Sequence, residues 1–251
     1  MAYDAPELAR VRNPVLLTSA VAWIFLLVAP DNIAVHCPAM ISGGTPLLPL
    51  AASWLLMLVA MMAPVLIPPI RYIRLRSFAH RRARSIALFV GGYAAIWIAV
   101  GSVLMPMELA IKWLTPQLYL PAACVSIVAL VWQCSPIKQR CLNRCHAHTE
   151  LAAFGAAADL DAIRFGTRHG LWCAGSCWAL MLLPMVLPWG HVPAMAIVSV
   201  LIFSERLERP MLPGWRWRGL GRVTRIVIGQ ARIRLHAHEG WWTSATIPFK
   251  L

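Results

Sequence analysis

Ser85-Ile-Ala-Leu-Phe-Val-Gly-Gly-Tyr-Ala-Ala-Ile-Trp-Ile-Ala-Val-Gly-Ser-Val-Leu-Met-Pro-Met107 runs for 23 residues without a charged side chain. A helix rises about 1.5 Å per residue, so roughly 20 such residues cross a hydrocarbon layer about 30 Å thick. Three further uncharged stretches have comparable length, at residues 13–30, 46–70 and 113–137. A fifth, residues 170–204, is too long for one crossing. Pro184, Pro188, Trp189, Gly190, His191 and Pro193 cut it, because clustered prolines remove helix donors and favour a turn. The expected crossings there are residues 170–187 and 194–207. The resulting fold class is all-α, a polytopic transmembrane helical bundle of about six spanning helices, with residues 1–210 as the membrane domain and 211–251 as a basic tail rich in Trp and Arg.

Composition agrees. Of 251 residues 59% are hydrophobic and 13% charged, with a mean hydropathy of +0.65. Soluble domains carry about 25% charged residues, so this chain has too few polar side chains to cover a globule in water. That excludes disorder and argues against an ordinary soluble enzyme. Lys and Arg number 23 against 10 Asp and Glu. A basic surplus on an apolar chain points to anionic lipid rather than nucleic acid, which would need these cations on a soluble face with interleaved aromatics. Cytoplasmic loops collect Lys and Arg. With six crossings and both ends cytoplasmic, every Lys and Arg except Lys112 falls on one side. Asp4 and Glu7 spoil the positive leader of a cleaved signal peptide, so residues 13–30 are expected to stay as a permanent helix.

Between the fourth and fifth crossings, residues 151–163 are Ala-rich and suit a short helix near the membrane surface. In the tail, Trp215-Arg-Trp-Arg218 and the residues after it suit an interface with lipid phosphates. The alternation in residues 225–235 also fits a strand.

The chemistry gathers in Arg168-His-Gly-Leu-Trp-Cys-Ala-Gly-Ser-Cys-Trp-Ala-Leu-Met181. His169, Cys173, Cys177 and Met181 recur every four residues, so each step turns about 40° and rises about 6 Å along one slowly winding stripe. Thiolate and thioether together select soft ions, Cu(I) first, while two thiolates and an imidazole also suit Zn(II). Free Cys and Met serve equally as membrane packing side chains, so the stripe alone does not decide between the two. Met57 and Met61 share a face of the second crossing and should lie near the depth of Met181 and Cys177. Pro64 beside them frees a backbone carbonyl. A third group, Cys141, Cys145 and His146, sits at the mouth of the fourth crossing and could acquire metal. Its spacing falls short of a structural zinc signature, and the surrounding Arg and Lys are expected to lower its thiol pKa values. His36, Cys37 and Met40 form the one soft group in the outer loops. Glu205, at the end of the sixth crossing, is expected to mark the helix end or to pair with a cation such as Arg168.

No Walker A sequence, Asp-Lys-Thr-Gly phosphorylation site, Gly-x-Ser-x-Gly elbow or Cys-x-x-Cys-His haem attachment occurs. Pumping by ATP, hydrolysis and multi-haem electron transfer therefore lack support, and catalysis of any kind is not the leading expectation. A thiol-disulfide oxidoreductase at Cys173 and Cys177 is the alternative. Cysteines four apart on a helix place their Cα atoms about 6 Å apart with poorly aimed Cβ vectors, which disfavours it. An accessory subunit of a larger membrane complex is the third reading.

Met57-Leu-Val-Ala-Met-Met-Ala-Pro64, Gly92-Tyr-Ala-Ala-Ile-Trp97, Ile137-Lys-Gln-Arg-Cys-Leu-Asn-Arg-Cys145 and the stretch from Gly166 to Met181 resemble, in this order, a bacterial family of uncharacterised proteins described as predicted metal-binding integral membrane proteins. The similarity covers residues 47–209. It implies a membrane metal site with Cys, Met and His ligands, and no established reaction. Members tend to carry two adjacent cysteines before the Trp, where Ser176 and Cys177 stand here. They also tend to end on another apolar stretch, whereas residues 219–235 here are rich in arginine. The expected function is soft-metal binding and delivery, with copper as the metal and zinc as the alternative, in the bacterial inner membrane and for instance to a membrane metalloenzyme.

Overall fold

The computed structural model describes residues 5–28, 47–114, 119–147 and 149–217. Among these the chain is helical and contains no strand: α1 (Ala5–Val28), α2 (Leu47–Met62), a 3-10 turn (Ala63–Leu66), α3 (Ile67–Arg76), α4 (Arg82–Leu114), α5 (Leu120–Cys134), α6 (Pro136–Cys145), α7 (Gly155–Val186) and α8 (His191–Arg206). Four helical stretches are long and apolar enough to cross a membrane: Glu7–Val28, Ala51–Arg76, Ala79–Leu114 and Gly155–Val186. The pair α5 and α6 makes a fifth if taken together, although the two are bent by 65°. Helix α8 has 16 residues, short of the roughly 20 that a crossing needs.

Several boundaries differ from those expected. The third crossing is longer, because α4 continues past Pro106 and takes in Trp113, the first residue expected of the fourth. The fourth shrinks to α5, since Ser135 leaves the helical region (φ −69°, ψ 144°) and caps α6, its Oγ accepting from Lys138 N at 3.1 Å, with Pro136 at the first helical position. Residues 151–163 do not form a separate surface helix. From Gly155 they are the first turns of α7, where Asp159 is held by Arg81 and Arg84, both at 2.7 Å. The expected break after the fifth crossing falls at residues 187–190, where Gly190 adopts φ +78° to start α8.

Helix α7 packs chiefly on α4, and the reason is the absence of side chains. A Cβ on Gly166 would lie 2.1 Å from the Phe89 carbonyl oxygen, and one on Gly92 2.7 Å from that of Ile163. Gly166 and Gly170 are four apart, the small-residue spacing that lets two helix backbones touch in an apolar medium. Phe89, Tyr93 and Trp97 line the facing side of α4 and are buried.

Proline organises the other half. Pro64 has no N–H to offer the Ala60 carbonyl. Ser19 Oγ and Trp23 Nε1 of α1 donate to that oxygen instead, at 2.7 and 3.0 Å. The expected freed carbonyl thus docks α1 onto α2. Trp54 of α2 donates to Trp97 O at 3.1 Å and fills the space left by Gly101. Lys112, the cation left on the other side by the expected topology, donates to Glu108 at 2.6 Å and to the Met185 carbonyl at 2.9 Å.

Candidate metal centre

Three helices meet around Gly175. Trp132 of α5 donates to its carbonyl at 3.1 Å, and the Cys141 sulfur of α6 sits where a Cβ on Gly175 would be only 3.0 Å away. The small residue in Cys173-Ala-Gly-Ser-Cys177 therefore lets α6 lie on α7. This packing brings the two sequence clusters, which looked separate, to one place.

On α7, Cys173, Cys177 and Met181 are buried, with 0–1% of each exposed, and His169 is buried at the N-terminal end of the stripe. Cys177 Sγ donates to the Cys173 carbonyl at 3.0 Å, and Tyr93 of α4 shares a hydrogen bond with Cys173 Sγ at 3.3 Å. His169 is ringed by Phe89, Tyr93 and Phe165, with centroids 6.0 to 6.2 Å from its own.

On α6, Cys141 is buried and Cys145 half-buried. The imidazole of His146 lies against two backbone carbonyls, Leu142 O from Nδ1 at 2.9 Å and Arg206 O from Nε2 at 3.1 Å. His146 thereby ties the ends of α6 and α8 together, and would have to give up one of these carbonyls to bind metal. The cations around this group do not set its acidity as expected. Burial pushes the Cys145 thiol up to about 11, outweighing the attraction of Arg206, and burial likewise raises Cys141 against Arg206 and Arg144. Arg144 is engaged elsewhere, over the Trp172 ring at 4.5 Å.

Arg206, the last residue of α8, is the functional candidate that sequence reasoning missed. Its guanidinium reaches the turn of α7 between Cys173 and Cys177, where Nη2 donates to Ser176 Oγ at 2.9 Å. Next to it Glu205 pairs not with Arg168 but with Lys138 of α6, at 2.8 Å, and both are almost wholly buried. Gln133 completes that network, donating to Glu205 and accepting from Lys138.

Met57 and Met61 are buried in the same apolar core as Cys173, Cys177 and Met181. Helix α2 itself packs mainly on α1 rather than on α7. Among the described residues no three His, Cys, Asp or Glu groups converge as a closed ligand set. Zn(II) in structural sites takes four such ligands, whereas Cu(I) accepts soft sulfur donors, thioether included. The donors gathered here, thiols with thioethers beside them, fit the softer ion. His36, Cys37 and Met40, the residues 219–235 and most of the basic tail lie outside the described residues. The tail's described start is bound back: Asn143 donates to Met211 O at 2.7 Å, and Arg216 N donates to Cys134 O at 3.2 Å.

An all-helical bundle with apolar, membrane-length helices and sulfur donors at one helix junction defines a class of candidate metal handlers. Residues 51–228 match a protein family described as copper chaperone, PpoB2. The match takes in well over half of the chain, including all nine candidate ligands and Arg206, and the chain belongs to this family. No curated protein and no solved structure matches it.

Proposed function

We propose that the protein is an integral membrane copper chaperone that holds Cu(I) on sulfur at the junction of α6, α7 and α8 and delivers it to a membrane metalloenzyme. The observation that carries this reading is the packing of Cys141 of α6 against Gly175, between Cys173 and Cys177 of α7, in a chain of a copper-chaperone family. Cys177 and Met181 continue the donor line into the core, with Met57 and Met61 in that same core. Cys141 and His146 flank it on the side of the loops. Cu(I) is the cargo, and the chain's part is to supply sulfur, exclude water and keep the thiols apart from competing ions.

Residence in the membrane is supported by the outward faces. Leu17, Leu27, Val103, Ile127, Val131 and Ile197 are each more than half exposed, which an apolar solvent satisfies and water does not. The proposed topology has six crossings and both ends in the cytoplasm of a bacterial inner membrane, with the Arg cluster of residues 71–84 on anionic lipid. Reporters fused at Arg82, Asp159 and Leu251 should read cytoplasmic, and reporters at Gly44 and Gly190 outside. A Leu251 fusion reading outside removes the sixth crossing.

The metal reading is tested on purified, reduced protein. It should bind Cu(I) stoichiometrically, and Cys177→Ser should lose more affinity than Met57→Leu, because a thiolate brings charge and a thioether does not. If Cys173→Ser/Cys177→Ser retains as much copper as the wild type, the site is elsewhere or absent.

A further inference from the structure

The last turn of α6, the loop after it and the first half of α7 enclose a cavity of about 340 Å³, lined by Arg144, Thr149, Phe165, Arg168, His169 and Trp172. Its size falls in the range of small-molecule sites, roughly 300–1,000 Å³. Phe165, Arg168, His169 and Trp172 stand at i, i+3, i+4 and i+7, so one face of α7 supplies most of the wall. The loop is anchored, since the Tyr72 hydroxyl donates to the Thr149 carbonyl at 2.9 Å. Arg144 lays its guanidinium over the Trp172 ring at 4.5 Å, which uses the flat face of the group and leaves its N–H edge for an acceptor. Arg168 lines the same space. Among the described residues neither arginine pairs with a carboxylate, whereas Arg74, Arg81 and Arg84 all do. The charge of this cavity is therefore open to an anion from outside the chain.

The cavity also meets the donor stripe. His169, the first member, is 6% exposed and lines the cavity, and Cys173 stands one helical turn behind it with no exposure. An occupant thus lies between two guanidinium groups and the head of a row of sulfurs. Cu(I) disproportionates as a bare aquo ion, so it reaches a site on a soft ligand, and the soft ligand of small water-soluble molecules is thiolate. We propose that this cavity is a docking site for a small anionic thiol that carries Cu(I), with its carboxylates on Arg144 and Arg168 and its copper at His169. This rests on the reading of the α7 stripe as copper ligands. A carboxylate matches the edge of a guanidinium through two parallel hydrogen bonds, and Phe165 and Trp172 give the carrier's carbon skeleton apolar surface. In the transfer one S–Cu bond of the carrier breaks as copper binds the His169 imidazole and then the Cys173 sulfur. The proton of the Cys173 thiol goes to the departing thiolate, so the carrier leaves as a thiol. Copper stays Cu(I) and no electron moves.

The experiment has two arms, both on the full-length reduced protein in detergent. The first titrates metal-free protein with S-methylglutathione, an anionic peptide whose blocked sulfur can neither deliver metal nor exchange disulfides. Wild type should bind it saturably, and Arg144→Gln and Arg168→Gln should each weaken binding roughly tenfold, as loss of a hydrogen bond to a charged group does. Both side chains are exposed, so these variants should fold. The second arm supplies Cu(I) on glutathione, which is anionic, on 2-mercaptoethanol, which is uncharged, or on cysteamine, which is cationic, and reads the rate of loading. Wild type should load fastest from glutathione. The double variant should lose that advantage, load from 2-mercaptoethanol as wild type does, and reach the same copper content at saturation. Absence of S-methylglutathione binding together with equal loading from the three carriers overturns the docking site and leaves the chaperone reading standing. Binding that phosphatidylglycerol nanodiscs abolish and phosphatidylcholine nanodiscs keep assigns the arginines to lipid phosphate and overturns it as well. A wild type that takes copper from no carrier overturns the chaperone reading itself, and the carrier site with it.

Discussion

Gly166→Val should abolish the folded protein, and Gly166→Ala should come close. A Cβ at this position would sit 2.1 Å from Phe89 O, 2.9 Å from its carbonyl carbon and 3.1 Å from its Cα. All three are backbone atoms, so no rotamer change relieves the clash; α4 and α7 must move apart. That interface holds Gly92 against Ile163 and Thr167, and Gly170 against Tyr93 and Ile96. Overpacking a well-packed interior costs about 1–3 kcal/mol where side chains can adjust, and more where they cannot. Since natural proteins have only about 5–15 kcal/mol in hand, a helix pair forced apart along this length leaves little. The measurement is the yield of monodisperse protein in detergent and its thermal unfolding, with Gly91→Ala as the control. Gly91 precedes Gly92 on the same helix, and a Cβ there meets nothing within 4 Å. Equal stability of Gly166→Ala and Gly91→Ala would mean that the two helices are not in backbone contact.

Much of this arrangement was legible in the sequence, and the parts that were not share a physical origin. Hydropathy reports where the chain can be buried in lipid, and the apolar runs accordingly became helices. It does not report where a helix ends. Arg164 and Arg168 interrupt the apolar signal but not the hydrogen-bond ladder, so residues 151–163 read as a separate element although α7 starts at Gly155. Trp113 reads as part of the fourth crossing for the converse reason, because Lys112 stops the apolar run while α4 continues to Leu114. The spacing of Gly166 and Gly170 was a readable sign of the α4–α7 contact that hydropathy passed over. The stripe of His169, Cys173, Cys177 and Met181 on α7 followed from helical period alone, and all four are buried, as donors and packing side chains both would be. What periodicity could not supply is partnership across helices. Cys141 and Gly175 are far apart in sequence, and Arg206, which binds Ser176 beside them, looks like one more cation at a helix end. Their meeting depends on the 65° bend between α5 and α6. The signal for that bend was Ser135-Pro136, a helix cap followed by a proline at the first turn.

Removing either partner of the Lys138–Glu205 pair should be among the most damaging single changes outside the glycine interface. The Lys138 side chain is 0% exposed and that of Glu205 2%, so neither can turn to water when its partner is lost. Breaking a buried pair by removing one charge costs about 3–5 kcal/mol, because the remaining charge stays buried and unmatched. Lys138→Met and Glu205→Leu should each lower the thermal midpoint sharply. The double variant behaves differently, since an apolar replacement of the whole pair removes both desolvation costs and is often neutral. Here it should recover most of the loss but not all. Gln133 donates to Glu205 and accepts from Lys138, and a buried amide deprived of partners costs about 1–3 kcal/mol. Adding Gln133→Leu should restore that remainder. The series also separates fold from cargo: Lys138 and Glu205 bridge α6 to α8 and so hold Cys145 and Arg206 at the same junction. A triple variant that melts like the wild type and still binds Cu(I) assigns this network to stability alone. If instead Lys138→Met and Glu205→Leu melt with the wild type, the pair is not buried as a unit, and the placement of α8 against α6 falls with it.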